Sequence, residues 1–262
     1  RCFENDNIIH VDGSINPIRD KEVVDIELQL KDLETVESRI AKLQKQAKVG
    51  NDRVAQKTVA IAERLRNVLV TGKSARTLVL NEDEEELIHD FFLLTRKPVV
   101  YVCNVDEASA SKGNSMTDAF RESVKDENAE ILIIAAATEA DIAELESYEE
   151  KQLFLEDLGL DEPGVNKLIH AAYHLLKLQT YFTTGADESR AWTFVKGIKA
   201  PKAAGIIHSD FEKGFIRAEV IKYNDYVTLE SESACRELGK IAIEGKEYVV
   251  QDGDIMHFRF NV

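Results

Sequence analysis

The sequence predicts an α/β chain: a doubly wound sheet, interrupted by an antiparallel helical hairpin and followed by a small α+β domain close in plan to a β-grasp. Three observations carry this reading. Two continuous apolar runs, 98–103 and 131–135, alternate with helical patterns, the signature of buried parallel strands joined by crossover helices. Upstream of them, apolar residues fall three and four apart in the spacing of a coiled-coil seam. Downstream of Gln179, short strand-like runs are separated by Gly, Asp and Lys clusters.

Taken in order, Ile8, Ile9, His10 and Val11 form a short apolar run closed by Asp12, Gly13, Ser14 and Pro17, which predicts a strand end followed by a loop. From Glu22 a long helix is expected, with Leu33, Val36, Ile40 and Leu43 along its seam. Val49, Gly50, Asn51 and Asp52 break the pattern, and a second helix carrying Ala62, Leu65 and Leu69 on one face returns towards Gly72. A helix over 83–95 then leads into the first buried strand, 98–103. Helix 115–126, strand 131–135 and helices over 142–158 and 165–178 complete the doubly wound pattern, with only a few strands in it. The last domain, beginning near Leu178, is predicted to hold strands at 181–184, 191–195, 215–221, 248–250 and 256–260 and one helix at 231–238.

Composition narrows the class. The 262 residues are 44% hydrophobic and 31% charged, and no apolar run is long enough for a bilayer-spanning helix. The chain opens Arg1-Cys2-Phe3 without Met or a secretory pattern, and reads as a piece that starts in mid-protein. Cys2, Cys103 and Cys235 are odd in number and widely spaced, which suits a reducing cytoplasm. The net charge of −15 is unevenly spread. Between Arg39 and Arg76, ten Lys or Arg stand against two acids, a local balance of +8, so the remainder sums to −23. An acidic body with one basic projection meets a polyanion only at that projection, because phosphate contacts are short-ranged at cellular salt. A solvated helix face gives the same pattern.

Among motifs, Thr71-Gly72-Lys73-Ser74 imitates the end of a phosphate-binding loop. The upstream glycine position is Asn67, however, and the segment ends a helix, so its N–H groups are expected to be occupied. Asn104-Val105-Asp106-Glu107 is better placed, at the carboxyl end of strand 98–103, where open α/β sheets put their ligand crevices. Guanine-specific nucleotidases use an N-K-x-D tetrad at such a point; here Val105 replaces the Lys and Glu107 the Asp. An ionised carboxylate cannot make with adenine the donor-accepting fork it makes with guanine, so relaxed or adenine-leaning specificity follows. A surface loop is the competing reading of this tetrad. His10 reads as a loop histidine, Cys103 as a small buried hydrophobe, and His208, Asp210, Glu212, Lys213 and Arg217 as a polar surface loop.

Several strings together resemble the YchF/Obg-like ATPase family of P-loop nucleotidases. They are Arg1-Cys2-Phe3-Glu4-Asn5-Asp6 with Ile8-Ile9-His10-Val11, Asp32-Leu33-Glu34-Thr35-Val36-Glu37, Asn104 to Glu107, and Ala135-Ala136-Ala137-Thr138-Glu139-Ala140. Most specific are Leu178-Gln179-Thr180-Tyr181-Phe182-Thr183, Arg190-Ala191-Trp192-Thr193 and the stretch from Ala204 to Ala218. The resemblance implies a partial P-loop nucleotidase sheet (1–20 and 80–177), an inserted coiled-coil hairpin (21–79) and a TGS domain of β-grasp type (178–262). It implies Mg2+-dependent hydrolysis of ATP, with GTP also accepted, and ribosomes or rRNA as partner; from the residues themselves a cytoplasmic location and no membrane insertion are expected, and a monomer is expected as well. The base would meet Asn104, the backbone at Val105, and Glu107, with Ala135 and Ala136 on the neighbouring loop. His10 matches the histidine proposed to replace a water-positioning glutamine. Lys42, Lys45, Lys48 and Arg53 are the candidate RNA contacts. No metal ligand is expected within this stretch, because the phosphate loop and Mg2+-binding Ser or Thr of the family precede the position of Arg1. The chain alone is therefore expected to hold nucleotide weakly and not to hydrolyse it. The alternative is a non-catalytic RNA- or ribosome-binding module.

Overall fold

The computed structural model describes residues 1–50, 52–127, 129–185 and 188–261. Asn51 of the predicted hairpin break and Val262 of the last domain lie outside the described residues. By its internal contacts the chain divides into two units, Arg1–Ile169 and His170–Val262.

In the first unit the apolar spacing produces two long helices, α1 (Pro17–Gly50) and α2 (Arg53–Val70). Proline fits the first turn of α1 because an N–H there has no intrahelical acceptor. Asp52 starts α2 by accepting the Val54 and Ala55 N–H groups. Val36 and Ile40 of α1 pack against Ile61, Ala62, Leu65 and Leu69 of α2, as the predicted seam requires. Beneath this seam Asp32, 2% exposed, accepts the N–H groups of Leu94 and Thr95 and the Thr95 hydroxyl, each at 2.7 Å.

The expected helix over 83–95 is shorter. An Asn81–Glu84 capping box starts α3 (Glu82–Ile88), which tightens into a 3-10 turn, and Phe92 at φ 51° ends it. The expected strand at 8–11 does not form: Ile9 and Val11 are 94% and 99% exposed, so no apolar surface holds them in a sheet. Strands β1 (Val100–Asn104) and β2 (Glu130–Ile134) pair in parallel from Val100 opposite Glu130 to Asn104 opposite Ile134. The connection carries α4 (Ser115–Ser123). After β2 the predicted single helix is two, α5 (Ala136–Glu144) and α6 (Tyr148–Asp157), because Ser147 and Glu150 form a new capping box. Helix α7 (Gly164–Leu175) follows.

The second unit is a mixed sheet of order β4-β3-β7-β5-β6, from β3 (Leu178–Thr184), β4 (Ser189–Val195), β5 (Phe215–Lys222), β6 (Ala242–Glu244) and β7 (Asp254–Phe260). Only β3 with β7 is parallel; the other neighbours are antiparallel. Helix α8 (Ala200–Ile207) lays Ala200, Ala203 and Ala204 against Tyr181, Phe194, Ala218 and Met256. The predicted strand at 248–250 makes one isolated bridge, Val249 with Lys199, and β6 takes its place in the sheet. Residues 208–213, expected as loop, form α9 (Ser209–Lys213), and two further short helices are α10 (Tyr223–Leu229) and α11 (Glu232–Glu237).

Candidate functional site

The parallel pair β1–β2 sets two chain segments side by side at its carboxyl edge. Asn104, the last residue of β1, accepts the Ala136 N–H through its side-chain oxygen at 3.1 Å, tying the first turn of α5 to the tetrad. The Val105 N–H donates to the Ile134 carbonyl at 3.0 Å, while the Val105 side chain is buried. Valine is therefore suited to this position as a core anchor whose backbone stays at the edge. Asp106 accepts the Ser109 N–H and caps a 3-10 turn, Glu107–Ser109. Glu107, first in that turn, is exposed. The sheet thus brings Asn104, Val105, Glu107, Ala135 and Ala136 to one edge.

Three links below the edge were not singled out from sequence. Glu139, in the first turn of α5, accepts the N–H groups of Gly164 and Val165 at 2.6 and 3.2 Å, capping α7. The Cys2 N–H donates to the Asn104 carbonyl at 2.7 Å, seating residue 2 against the strand end. The Tyr101 hydroxyl donates to Glu127 at 2.7 Å, and Lys21, at 2.6 Å from both Asp25 and Glu127, lies over the Tyr101 ring. Burial and the Glu127 hydrogen bond push the Tyr101 hydroxyl up to about 12. Burial would raise the Glu127 carboxyl, but Lys21, Tyr101 and Arg76 together hold it below its ordinary value.

His10 stands apart from this edge, in a loop folded against the start of α1. Its Nε2 lies 3.0 Å from an Asp20 oxygen, and its Nδ1 receives the Asp12 N–H at 3.3 Å. Burial opposes ionisation of Asp20, but hydrogen bonding from Arg19, its charge and His10 hold the carboxyl below its ordinary value. An ionised carboxylate can only accept, so both partners select the neutral tautomer with the proton on Nε2. Ligand atoms of His10, Asp12 and Asp20 all lie within 4.8 Å of one another, the one such grouping among the described residues. Arg19 pairs with Asp20 at 2.8 Å and with Asp12 at 3.4 Å. The positive charge among those carboxylates is thus already supplied by a guanidinium.

Lys42, Lys45, Lys48 and Arg53 lie exposed at the end of the hairpin remote from His10, where α1 gives way to α2. The +8 stretch is partly neutralised by the fold, because Arg39 pairs with Asp90, Arg64 with Glu84 and Arg76 with Glu127. Thr71 to Ser74 hold no anion cradle: the Thr71, Gly72 and Lys73 N–H groups are all donated to carbonyls in the last turns of α2.

The ribosome-binding ATPase YchF of Bacillus subtilis is 50% identical over 264 residues, a match covering 100% of this chain and 72% of that protein. The chain belongs to the YchF/Obg-like ATPase family. Obg-like ATPase 1 of Rattus norvegicus is 41% identical over 100% of this chain and 67% of its own length. The structure of the Schizosaccharomyces pombe YchF GTPase superimposes with a TM-score of 0.87 at 34% identity, over 98% of this chain and 70% of that one. Residues 178–261 match the family model YchF-GTPase_C, described as a protein of unknown function, DUF933. The expected fold class, a partial nucleotidase sheet with a helical hairpin and a TGS-like α+β part, is thereby borne out. No helix among the described residues is long and apolar enough to cross a membrane.

Proposed function

We propose that this chain supplies the base-reading and ribosome-contacting parts of a cytoplasmic, ribosome-associated, ATP-preferring nucleotidase acting in translation or stress regulation. The observation that carries the reading is the Asn104–Ala136 hydrogen bond, which joins two backbone segments at the carboxyl edge of parallel strands. Asn104 keeps its amide N–H groups for a purine ring nitrogen, Val105, whose N–H is held by Ile134, offers its carbonyl, and Glu107 faces solvent beside them. The names of the relatives, ribosome-binding ATPase and Obg-like ATPase, support both halves of the proposal. The proposed domain limits are 1–20 with 80–177, 21–79 and 178–262.

The described residues fit the base end of a nucleotide and do not fit Mg2+. That ion favours octahedral oxygen sites, whereas the His10, Asp12 and Asp20 group is bridged by Arg19. The 262-residue chain alone is therefore predicted to show no ATP turnover. Turnover at the rate of the full-length gene product would overturn this. His10 is proposed to act in hydrolysis in that longer protein, by orienting water once freed from Asp20.

The test of base reading is equilibrium titration of the full-length gene product with fluorescent N-methylanthraniloyl ATP and GTP. Asn104→Ala is expected to weaken both about tenfold, the loss of one to two hydrogen bonds; unchanged affinities would end the reading. For the ribosome, reversing Lys42, Lys45, Lys48 and Arg53 to Glu is expected to abolish co-sedimentation at moderate salt and flatten its salt dependence. Undiminished co-sedimentation would remove the hairpin tip as the contact.

A further inference from the structure

We infer that Glu139 and Gly164 are positioning residues for base selectivity: together they fix the loop at Ala135 and Ala136 against Asn104. The inference rests on the base-reading role proposed for Asn104 to Glu107.

Three hydrogen-bonded ties hold this loop. The first joins Asn104 to the Ala136 N–H, and the second joins the Val105 N–H to the Ile134 carbonyl. Both tie the two segments to each other, but neither fixes the first turn of α5 to the body beneath. The third does, because Glu139, three residues beyond Ala136, donates neither proton nor slack: each carboxylate oxygen accepts one N–H from the start of α7. Those N–H groups lack intrahelical acceptors, and the carboxylate sits at the positive end of the α7 dipole, so the tie is a charge-assisted one.

Gly164 is what allows the approach. A Cβ there would lie 2.8 Å from a Glu139 carboxylate oxygen and 3.1 Å from Ile134 Cγ2. Relief requires the Glu139 carboxylate to shift on the α7 N–H groups, or Ile134 to give by a few tenths of an ångström. Ile134 immediately precedes Ala135 and carries the carbonyl that holds Val105. Either response is delivered to the two segments that meet the base. Little slack absorbs it, since the void beside Ile134, Ala135, Thr138, Glu139 and Gly164 is about 10 Å³, room for one water. Selectivity between adenine and guanine depends on which backbone donor or acceptor meets the exocyclic group, and displacements well below an ångström change that. Gross purine affinity, which Asn104 supports through a ring nitrogen common to both bases, depends less on this placement.

The experiment measures dissociation constants of N-methylanthraniloyl ATP and GTP on the full-length gene product for wild type, Glu139→Ala, Glu139→Gln, Gly164→Ala and Asn104→Ala, each with its thermal midpoint. Expected is a fall of roughly three- to tenfold in the ratio of the two constants for Glu139→Ala and Gly164→Ala. Glu139→Gln, which keeps one acceptor oxygen, should retain most of the ratio. Equal weakening of both nucleotides with a lowered midpoint would show a merely structural role and overturn the inference. An unchanged ratio in Glu139→Ala would do the same while leaving the base site standing, provided Asn104→Ala weakens binding. If Asn104→Ala leaves both constants unchanged, the base-reading proposal fails and this inference with it. Should Gly164→Ala not fold, the two Glu139 variants decide.

Discussion

The two units of this chain bury their sheets to different degrees. In His170–Val262 four of the five strands, β3, β4, β5 and β7, share one core: Tyr181 and Ala218 are fully buried, and Val220 and Met256 nearly so. In Arg1–Ile169 the two described strands are parallel, yet all five residues of β2 are only half-buried and Val102 of β1 is exposed. Helix α1 adds exposed Val23, Val24, Ile26 and Leu30 in its first half. Parallel strands of this apolar composition are normally covered on both faces, and two strands alone are marginal in water. Burial of the sheet therefore decides which unit is expected to stand alone.

The largest expected effect follows from that contrast. Expressed separately, residues 170–262 should unfold in one cooperative transition, whereas residues 1–169 should bind a hydrophobic dye and melt broadly. Circular dichroism and dye fluorescence on the two pieces check this. A sharp, dye-free transition for 1–169 would show that the hairpin seam alone sustains the first unit.

Next in size are two buried carboxylates, one per unit. Asp32→Ala strands two N–H groups and a hydroxyl beneath the hairpin and should cost about 3 kcal/mol. Asp254, fully buried, accepts from Lys222, Tyr248 and the Gln251 N–H. The Lys222 side chain is 56% exposed and can rehydrate, so Asp254→Ala should cost less, about 2 kcal/mol. Denaturant midpoints of the two variants in the intact chain measure the difference. The reverse order would mean that the first unit is already loosened around Asp32.

A smaller effect concerns acid. Glu127 is held below its ordinary carboxyl value of 4.5 even though burial pushes it upward, because Lys21, Tyr101 and Arg76 prevail. A depressed carboxyl stabilises the fold fully above its unfolded value, and the contribution fades as pH falls through the lower, folded one. Stability of the intact chain should therefore drop below about pH 4.5, and Glu127→Gln should flatten that part of the curve. An equally steep curve in the variant would assign the acid response to other carboxylates.

How much of this was legible in the residues differs between fold and site. The hairpin seam could be read because Val36, Ile40, Leu65 and Leu69 keep a strict helical spacing, and β1 and β2 because a continuous apolar run has few other uses. Boundaries were less legible where a local cap outweighed periodicity. Ser147 with Glu150 split one expected helix, and the left-handed Phe92 cut another short. The 8–11 run failed as a strand because apolar residues make one only where a sheet edge receives them. At the site, the tetrad was visible through its place after a strand. Its support was not, since Glu139 with Gly164 is a contact across 25 positions that no local pattern announces.

The smallest expected effect on stability is the most informative about the first unit's loop. Asp20 and the Asp12 N–H together hold the His10 proton on Nε2 and occupy both ring nitrogens. Asp20→Asn removes the obligatory acceptor, because an amide can present either its oxygen or its NH2 to the ring. The surface-near pair should contribute well under about 1 kcal/mol, so the midpoint should barely move. The imidazole nitrogen-15 shifts, by contrast, should pass from a single Nε2-protonated form to a mixture. Asp20 is in the first turn of α1, whose 34 residues span about 50 Å to the basic tip. The tautomer signal therefore reports at one end of a rigid helix, and the Lys42, Lys45, Lys48 and Arg53 reversal perturbs the other. If that reversal alone leaves the His10 shifts untouched, the loop is held locally by Asp20 and Arg19; if it alters them, α1 transmits the change.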